Sequence, residues 1–311
     1  MRPGRFGFCA RQVACVDFHA VADHHQPWDK QRNRIPPDLW QKTVETARKH
    51  NEPGEYVAFM GFEFRGPRGD TTVVLGEEID HEEIDREEFD RIDRLWEGLE
   101  GRDFITIPHF HNQGRLPAGE WISADSPEIE PALEIYSCHG SYESGDVNER
   151  HIPEIKSFRP DRNGRYFLRE GYRYGFVCNS DGHKGVVANN GLTAVFAEEL
   201  TRAAVLEAMR ARRCYGTTNA RIRLVFTVNG KLMGAELPRT DEQDIVIDVA
   251  GEGPFKAVDL LKDGELYKRW KPYEDAFRVE LTEECAGPCN WYVRATQMDN
   301  HIAYSSPIWV G

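Results

Sequence analysis

The sequence predicts an α/β domain over residues 1–219, built on a parallel sheet or barrel, followed by a small all-β, sandwich-like domain over residues 220–311. Three observations predict it. At 311 residues the chain exceeds the usual size of one hydrophobic core. Its first two-thirds alternates short apolar runs with amphipathic ones, as strand–helix repetition does. After Asn219 helical periodicity disappears and short alternating runs replace it.

The apolar runs end at polar residues. Residues 15–22 (CVDFHAVA) lead to Asp23-His24-His25, residues 56–62 (YVAFMGF) to Glu63, and residues 103–107 (DFITI) to Pro108-His109, with His111 beyond. Residues 132–137 (ALEIYS) run into Cys138-His139, and residues 174–180 (YGFVCNS) into Asp181-Gly182-His183. Between them the pattern predicts a helix over 37–50, opened by Pro37 and Asp38 and stopped by Asn51 and Gly54. A second helix is expected over 82–99, with Ile84, Ile92, Leu95, Trp96 and Leu99 on one face and its acidic residues in solvent. A third, over 201–212, has Thr201 as its N-cap and arginines in its last turn, which suits the helix dipole. In the second domain, strands are expected over 221–228, 244–249, 256–262, 265–270, 276–281, 291–296 and 302–310. Asp263-Gly264 between two of them reads as a type I′ hairpin turn.

Hydrophobic residues at 40%, aromatics at 11% and charged residues at 29% describe an ordinary packed protein. The formal net charge of −13 argues against wrapping duplex nucleic acid or an anionic membrane, since both need a cationic footprint. No run approaches the roughly 20 apolar residues of a membrane span, and residues 1–10 do not read as a secretory signal. A cytoplasmic location is the expectation. Seven cysteines scattered through a long chain read as reduced thiols rather than a disulfide framework. Cys285 and Cys289 (CAGPC) have no second pair at zinc-site spacing and read as part of a structural loop.

Five strand ends therefore present Asp23-His24, Glu63, His109 with His111, His139, and Asp181 with His183. Neutral imidazole and ionised carboxylate suit zinc, manganese and iron. A histidine after a strand is more often a hydrogen-bonded surface or core residue; what raises a metal site above that reading is joint placement, because a barrel brings strand carboxyl ends to one face. No Walker-type loop, dinucleotide fingerprint or Gly-x-Ser-x-Gly elbow is present. In the second domain, Trp270, Trp291 and Tyr292 could form a carbohydrate or partner platform, but aromatics in a small sandwich usually fill its core.

VDFHAVADHH, GFEF, IPHFH, EIYSCHG and NSDGHKG, in that order, resemble successive motifs of the polymerase and histidinol phosphatase (PHP) superfamily, and EIYSCHGSYE, RRCYGTTNAR and WYVRATQMDNHIAYSSPIWV resemble a branch with a C-terminal β-domain. The resemblance implies a distorted (β/α)7-type barrel. The family's opening His-x-His motif is absent from the chain, which implies an N-terminally incomplete barrel lacking its first strand. It implies His24, Glu63, His109, His139, Asp181 and His183 as ligands to between one and three manganese, zinc or iron ions, with Glu63 bridging. The activity implied is metal-dependent hydrolysis of a small-molecule phosphoester, with Glu63, Asp181 and His183 catalytic; Lys184 and Arg213, to which the resemblance assigns no part, are the candidates to meet the substrate. Ordinary solvation of Lys184 and helix-dipole pairing of Arg213 explain those two equally well. The competing readings are a catalytically degenerate domain that binds a ligand or scaffolds a partner, and an amidohydrolase-like metal enzyme.

Overall fold

The hairpin sequence VAFMGFEFRG-PR-GDTTVVL organises the first half of the molecule. The computed structural model of the chain describes residues 10–11, 14–29, 33–109, 126–144, 163–182, 188–285 and 287–311. It divides into two compact units. Unit 1 comprises Met1–Pro131, Gly182–Ala188 and Ala197–Arg210; unit 2 comprises Ala132–Asp181, Asn189–Phe196 and Ala211–Gly311.

Unit 1 holds a five-stranded mixed sheet of β1 (Phe18–Ala20), β2 (Asp23–His25), β3 (Val57–Gly66), β4 (Gly69–Leu75) and β5 (Phe104–His109). β1 and β2 run parallel to β3, whereas β3–β4 and β4–β5 are antiparallel. Because side chains alternate across a strand, Met60, Phe62 and Phe64 of β3 share a face with Val73 and Leu75 of β4 and Phe104 of β5. That face is covered by Trp40, Val44 and Ala47 of the Pro37–His50 helix and by Ile92, Leu95 and Trp96 of the Ile92–Gly98 helix. Pro at the first helical turn and Arg48, Lys49 and His50 at the last give the longer helix favourable ends. The other face of the sheet carries Glu63, Arg65, Asp70 and His109.

Unit 2 is almost entirely β. β6 (Ala132–Ser137) pairs parallel with β8 (Gly175–Cys178) and antiparallel with β7 (Gly140–Ser141). A four-stranded sheet is formed by Lys231–Leu232, Arg223–Val228, Glu242–Ala250 and Ala276–Glu284. An eight-stranded sheet includes Cys214–Thr217, Phe255–Lys262, Glu265–Trp270, Cys289–Gln297, Ile302–Ser305 and Ile308–Val310. Leu224, Phe226, Val228, Ile245, Ile247 and Val249 of the smaller sheet are fully buried in one core with Val258, Leu260, Trp291 and Val293 of the larger. The two sheets therefore form a sandwich. Asp263 and Gly264 both have positive φ, 51° and 79°, as a two-residue I′ turn demands. The expected boundary between residues 219 and 220 falls inside unit 2, where Cys214–Thr217 pairs with Ile302–Ser305.

The fold is mostly β, and the expected (β/α)7-type barrel is not what forms. Gly66 pairs with Gly69 across Pro67-Arg68, a turn too short for the crossover that a parallel neighbour requires, so β4 returns antiparallel. The expected helix over 82–99 breaks into His81–Ile84 and Ile92–Gly98. Among the described residues no helix is long and apolar enough to cross a membrane.

Candidate metal centre

Register brings the unit 1 donors together. His24 on β2 lies opposite Glu63 on β3, and Asp70 on β4 lies opposite His109 on β5. Glu63 faces Thr72, two residues from Asp70 on the same side of β4. One ligand atom from each of Glu63, Asp70 and His109 lies within 4.8 Å of the other two, and all three residues are buried. His109 Nε2 is 3.8 Å from Glu63 Oε1, and His24 Nε2, on a less buried side chain, is 3.3 Å from the same oxygen. Gly61 permits this assembly: a Cβ there would meet the Val73 carbonyl oxygen at 2.5 Å and that of Val21 at 3.1 Å. The missing side chain lets the segment that leads to His24 lie against the sheet.

Arg65, on the same face as Glu63, donates through Nε and Nη2 to both oxygens of Asp70, each at 3.1 Å, and its Nε is 3.9 Å from Glu63 Oε1. His25 points to the opposite side and is fully buried. Its Nδ1 accepts from the Ile35 N–H at 3.2 Å and its Nε2 lies 3.2 Å from the Ile84 carbonyl oxygen, so one neutral tautomer satisfies both. Burial lowers its pKa to about 4 despite the Ile84 contact and the Asp85 charge. His25 is thus a packing residue.

Unit 2 gathers a second set. Cys138, His139 and Asp181 offer ligand atoms within 4.8 Å of one another, all half-buried. His139 Nε2 is 3.0 Å from Asp181 Oδ2, and the Cys138 thiol donates to the Asp181 carbonyl oxygen at 3.0 Å. Hydrogen bonds from His139 to Asp181 and to Cys138 outweigh burial and raise the imidazole to about 10. Asp181 sits in the left-handed region, φ 44°, which an aspartate tolerates better than most residues.

Of the residues singled out from sequence, Glu63 and His109 meet directly with His24 beside them, and His139 meets Asp181 in the other unit. Arg213 donates to the Phe196 carbonyl oxygen at 3.3 Å. His183, Lys184 and His111 lie outside the described residues. Two residues were missed. Asp70 follows a Gly-x-x-Gly turn, and reading 57–75 as a hairpin would have set it opposite Arg65, on the same face of the strand that carries Glu63. Cys138 adjoins His139 in sequence but carries a soft sulfur in a set read as imidazole and carboxylate. Trp291 is fully buried in the sandwich core, and Tyr292, equally buried, packs from the other face of the strand against Phe176, so the two do not form a platform.

Similar proteins in Chlamydia are described as uncharacterised: one from C. pneumoniae, CPj0512/CpB0533, is 27% identical over 96% of this chain and 53% of its own length. One from C. muridarum is 24% identical over 89% of this chain and 50% of its own. The chain spans about half the length of these relatives. Similar solved structures include fibronectin(III)-like modules of Clostridium thermocellum CbhA, 17% identical over 27% of this chain and 93% of that one, TM-score 0.22. The CARDB domain of PF1109 from Pyrococcus furiosus is 14% identical over 29% of this chain and 94% of that one, TM-score 0.21. At these TM-scores nothing about this chain follows from them. The family that matches is described as a protein of unknown function, DUF3604, over residues 10–115 and 180–250, segments that include His24, Glu63, Asp70, His109 and Asp181. This match and the open, mostly antiparallel sheets overturn the resemblance to the PHP superfamily and, with it, the barrel; neither the family nor the relatives carry a reaction. The matched segments cover more than half of the sequence, and the chain belongs to the DUF3604 family.

Proposed function

We propose that unit 1 holds a divalent cation, manganese, zinc or iron, on Glu63, Asp70 and His109, and uses it in the cleavage of a small-molecule phosphoester by water. The observation that carries this reading is the buried triad itself, two carboxylates and one imidazole from three adjacent strands with their ligand atoms within 4.8 Å. The donor chemistry suits these three metals, and ligands on strands are held more firmly than ligands on loops. A cation bound there supplies the Lewis acidity that lets water ionise near neutral pH. The protein's own part is positioning. Glu63 would orient the water, His24 lies 3.3 Å from the same carboxylate and would take up or return a proton, and Arg65 would meet a phosphoryl oxygen. A cytoplasmic location belongs to the same reading.

Metal content should be measured on chain purified without chelators and reloaded with each ion, alongside Asp70→Asn and His109→Gln. The expected result is about one ion per folded chain, lost in both variants, with phosphoester turnover lost in parallel. Folded wild type that takes up none of the three would sink the proposal. A second reading would then lead, favoured by the two 3.1 Å contacts, in which the Arg65 guanidinium is the resident cation and the cluster is structural.

A further inference from the structure

The CAGPC segment has no part in the chemistry above. Its two cysteines sit where the chain leaves one sheet of the sandwich for the other: Ala276–Glu284 belongs to the four-stranded sheet and Cys289–Gln297 to the eight-stranded one. Cys285 directly follows the first of these strands and Cys289 opens the second, and both side chains join the sandwich core. Their Sγ atoms are 2.9 Å apart. That is nearer the roughly 2.05 Å of a disulfide than the ~4 Å at which apolar side-chain atoms usually rest. The surroundings hold them there: the Cys285 N–H donates to the Asp241 carbonyl oxygen at 2.9 Å, and its thiol lies 3.1 Å from the Gly287 carbonyl oxygen. Both thiols are buried, 3% and 7% exposed, yet Pro288 between them is exposed, so the pair lies just beneath the surface.

We infer that Cys285 and Cys289 are a reversible disulfide pair, formed by exchange with a low-molecular-weight disulfide of the glutathione class, and that the bond staples the two sheets of the sandwich at their crossover. Cys285, as thiolate, attacks one sulfur of the small disulfide, forming a mixed disulfide and releasing one small thiolate. Cys289 then gives up its proton to solvent and attacks the Cys285 sulfur, closing the protein bond and releasing the second small thiolate. Two protein thiols are oxidised and one small disulfide is reduced to two thiols. The division of roles fits the surroundings. Burial raises the Cys285 thiol, but contacts with Cys289, the Gly287 backbone and the Lys262 ammonium outweigh it and hold it below the ordinary thiol value. Burial and then Cys285 push Cys289 upward. Lys262 is fixed over the Trp291 ring, 4.9 Å from its centroid.

The test equilibrates the full chain in a series of reduced-to-oxidised glutathione ratios, blocks free thiols by alkylation, and maps peptides by mass spectrometry. The expected result is a cross-linked peptide joining Cys285 to Cys289, lighter than the dithiol form by two hydrogens, that becomes dominant under oxidising ratios and is removed by dithiothreitol. Cys289→Ser, checked for folding by circular dichroism, should instead stop at a glutathione adduct on Cys285. Both cysteines alkylated in folded wild type at the most oxidising ratio, or an adduct on one cysteine with no bridged peptide, would overturn the inference. Trapping the bridge requires no variant, so a misfolded Cys289→Ser would not spare the proposal.

Discussion

Arg65 shows how much one side chain decides. Its guanidinium occupies both oxygens of Asp70, so a metal ion bound as proposed would compete with Arg65 for the same carboxylate. Replacing it by methionine keeps the length of the stem and removes the rival charge. Arg65→Met should bind manganese about tenfold more tightly, a difference of about 1.4 kcal/mol, by isothermal titration calorimetry. Unchanged or weaker binding would mean that Arg65 supports the ligands instead of competing for them. The sequence displayed part of this cluster and hid the rest. His24, Glu63 and His109 were legible because each follows an apolar run with a group that water would otherwise claim. Asp70 was not, since a carboxylate two positions past a proline-arginine turn looks like ordinary loop polarity until the strands on either side are paired.

At the scale of elements, periodicity succeeded where one face was buried and failed where the pattern had two explanations. β6 occupies residues 132–137, the limits read from its apolar run, and the strands of the sandwich fall within a few residues of the alternating segments. Residues 82–99 carry a convincing helical stripe, yet the chain turns after Ile84, and Phe89 drops into the core between two short helices. β4 has no counterpart among the strands expected from sequence, because its Thr71 and Thr72 dilute the apolar signal. The tightest constraint on these strands is Gly61. A methyl group there meets backbone oxygens on both sides, and backbone does not yield as a flexible side chain does. Gly61→Ala should therefore cost about 1–3 kcal/mol of stability by urea denaturation. Loss of metal binding at denaturant-free equilibrium should accompany it, because the Val21 segment that precedes His24 is displaced. A variant as stable as wild type would show that the contact is slack.

For the molecule as a whole, acidity tests the packing. Burial, with the neighbouring His50 charge, lowers the His19 imidazole to about 4, and His19 Nδ1 is 2.7 Å from the Tyr56 hydroxyl. An unfolded histidine titrates at about 6.5, so between pH ~6.5 and ~4 the unfolded chain binds more protons than the folded one. The contribution of neutral His19 is intact above about pH 6.5 and is lost progressively as pH falls through about 4, on the order of 3 kcal/mol in total. Urea midpoints should fall from pH 7 to pH 4.5, and His19→Gln should flatten that slope; equal slopes would refute the assignment. The interleaving of the two units has a different consequence. The chain passes between them at residues 131–132, 181–182, 188–189, 196–197 and 210–211. During synthesis neither unit can be completed until residue 210 has emerged, and Cys214–Thr217 must wait longer still for Ile302–Ser305. The β3–β5 sheet, whose three strands all lie within residues 57–109, is in a position to form first, and the ribosome would deliver the edges of unit 2 to a nascent chain that already carries the carboxylate pair.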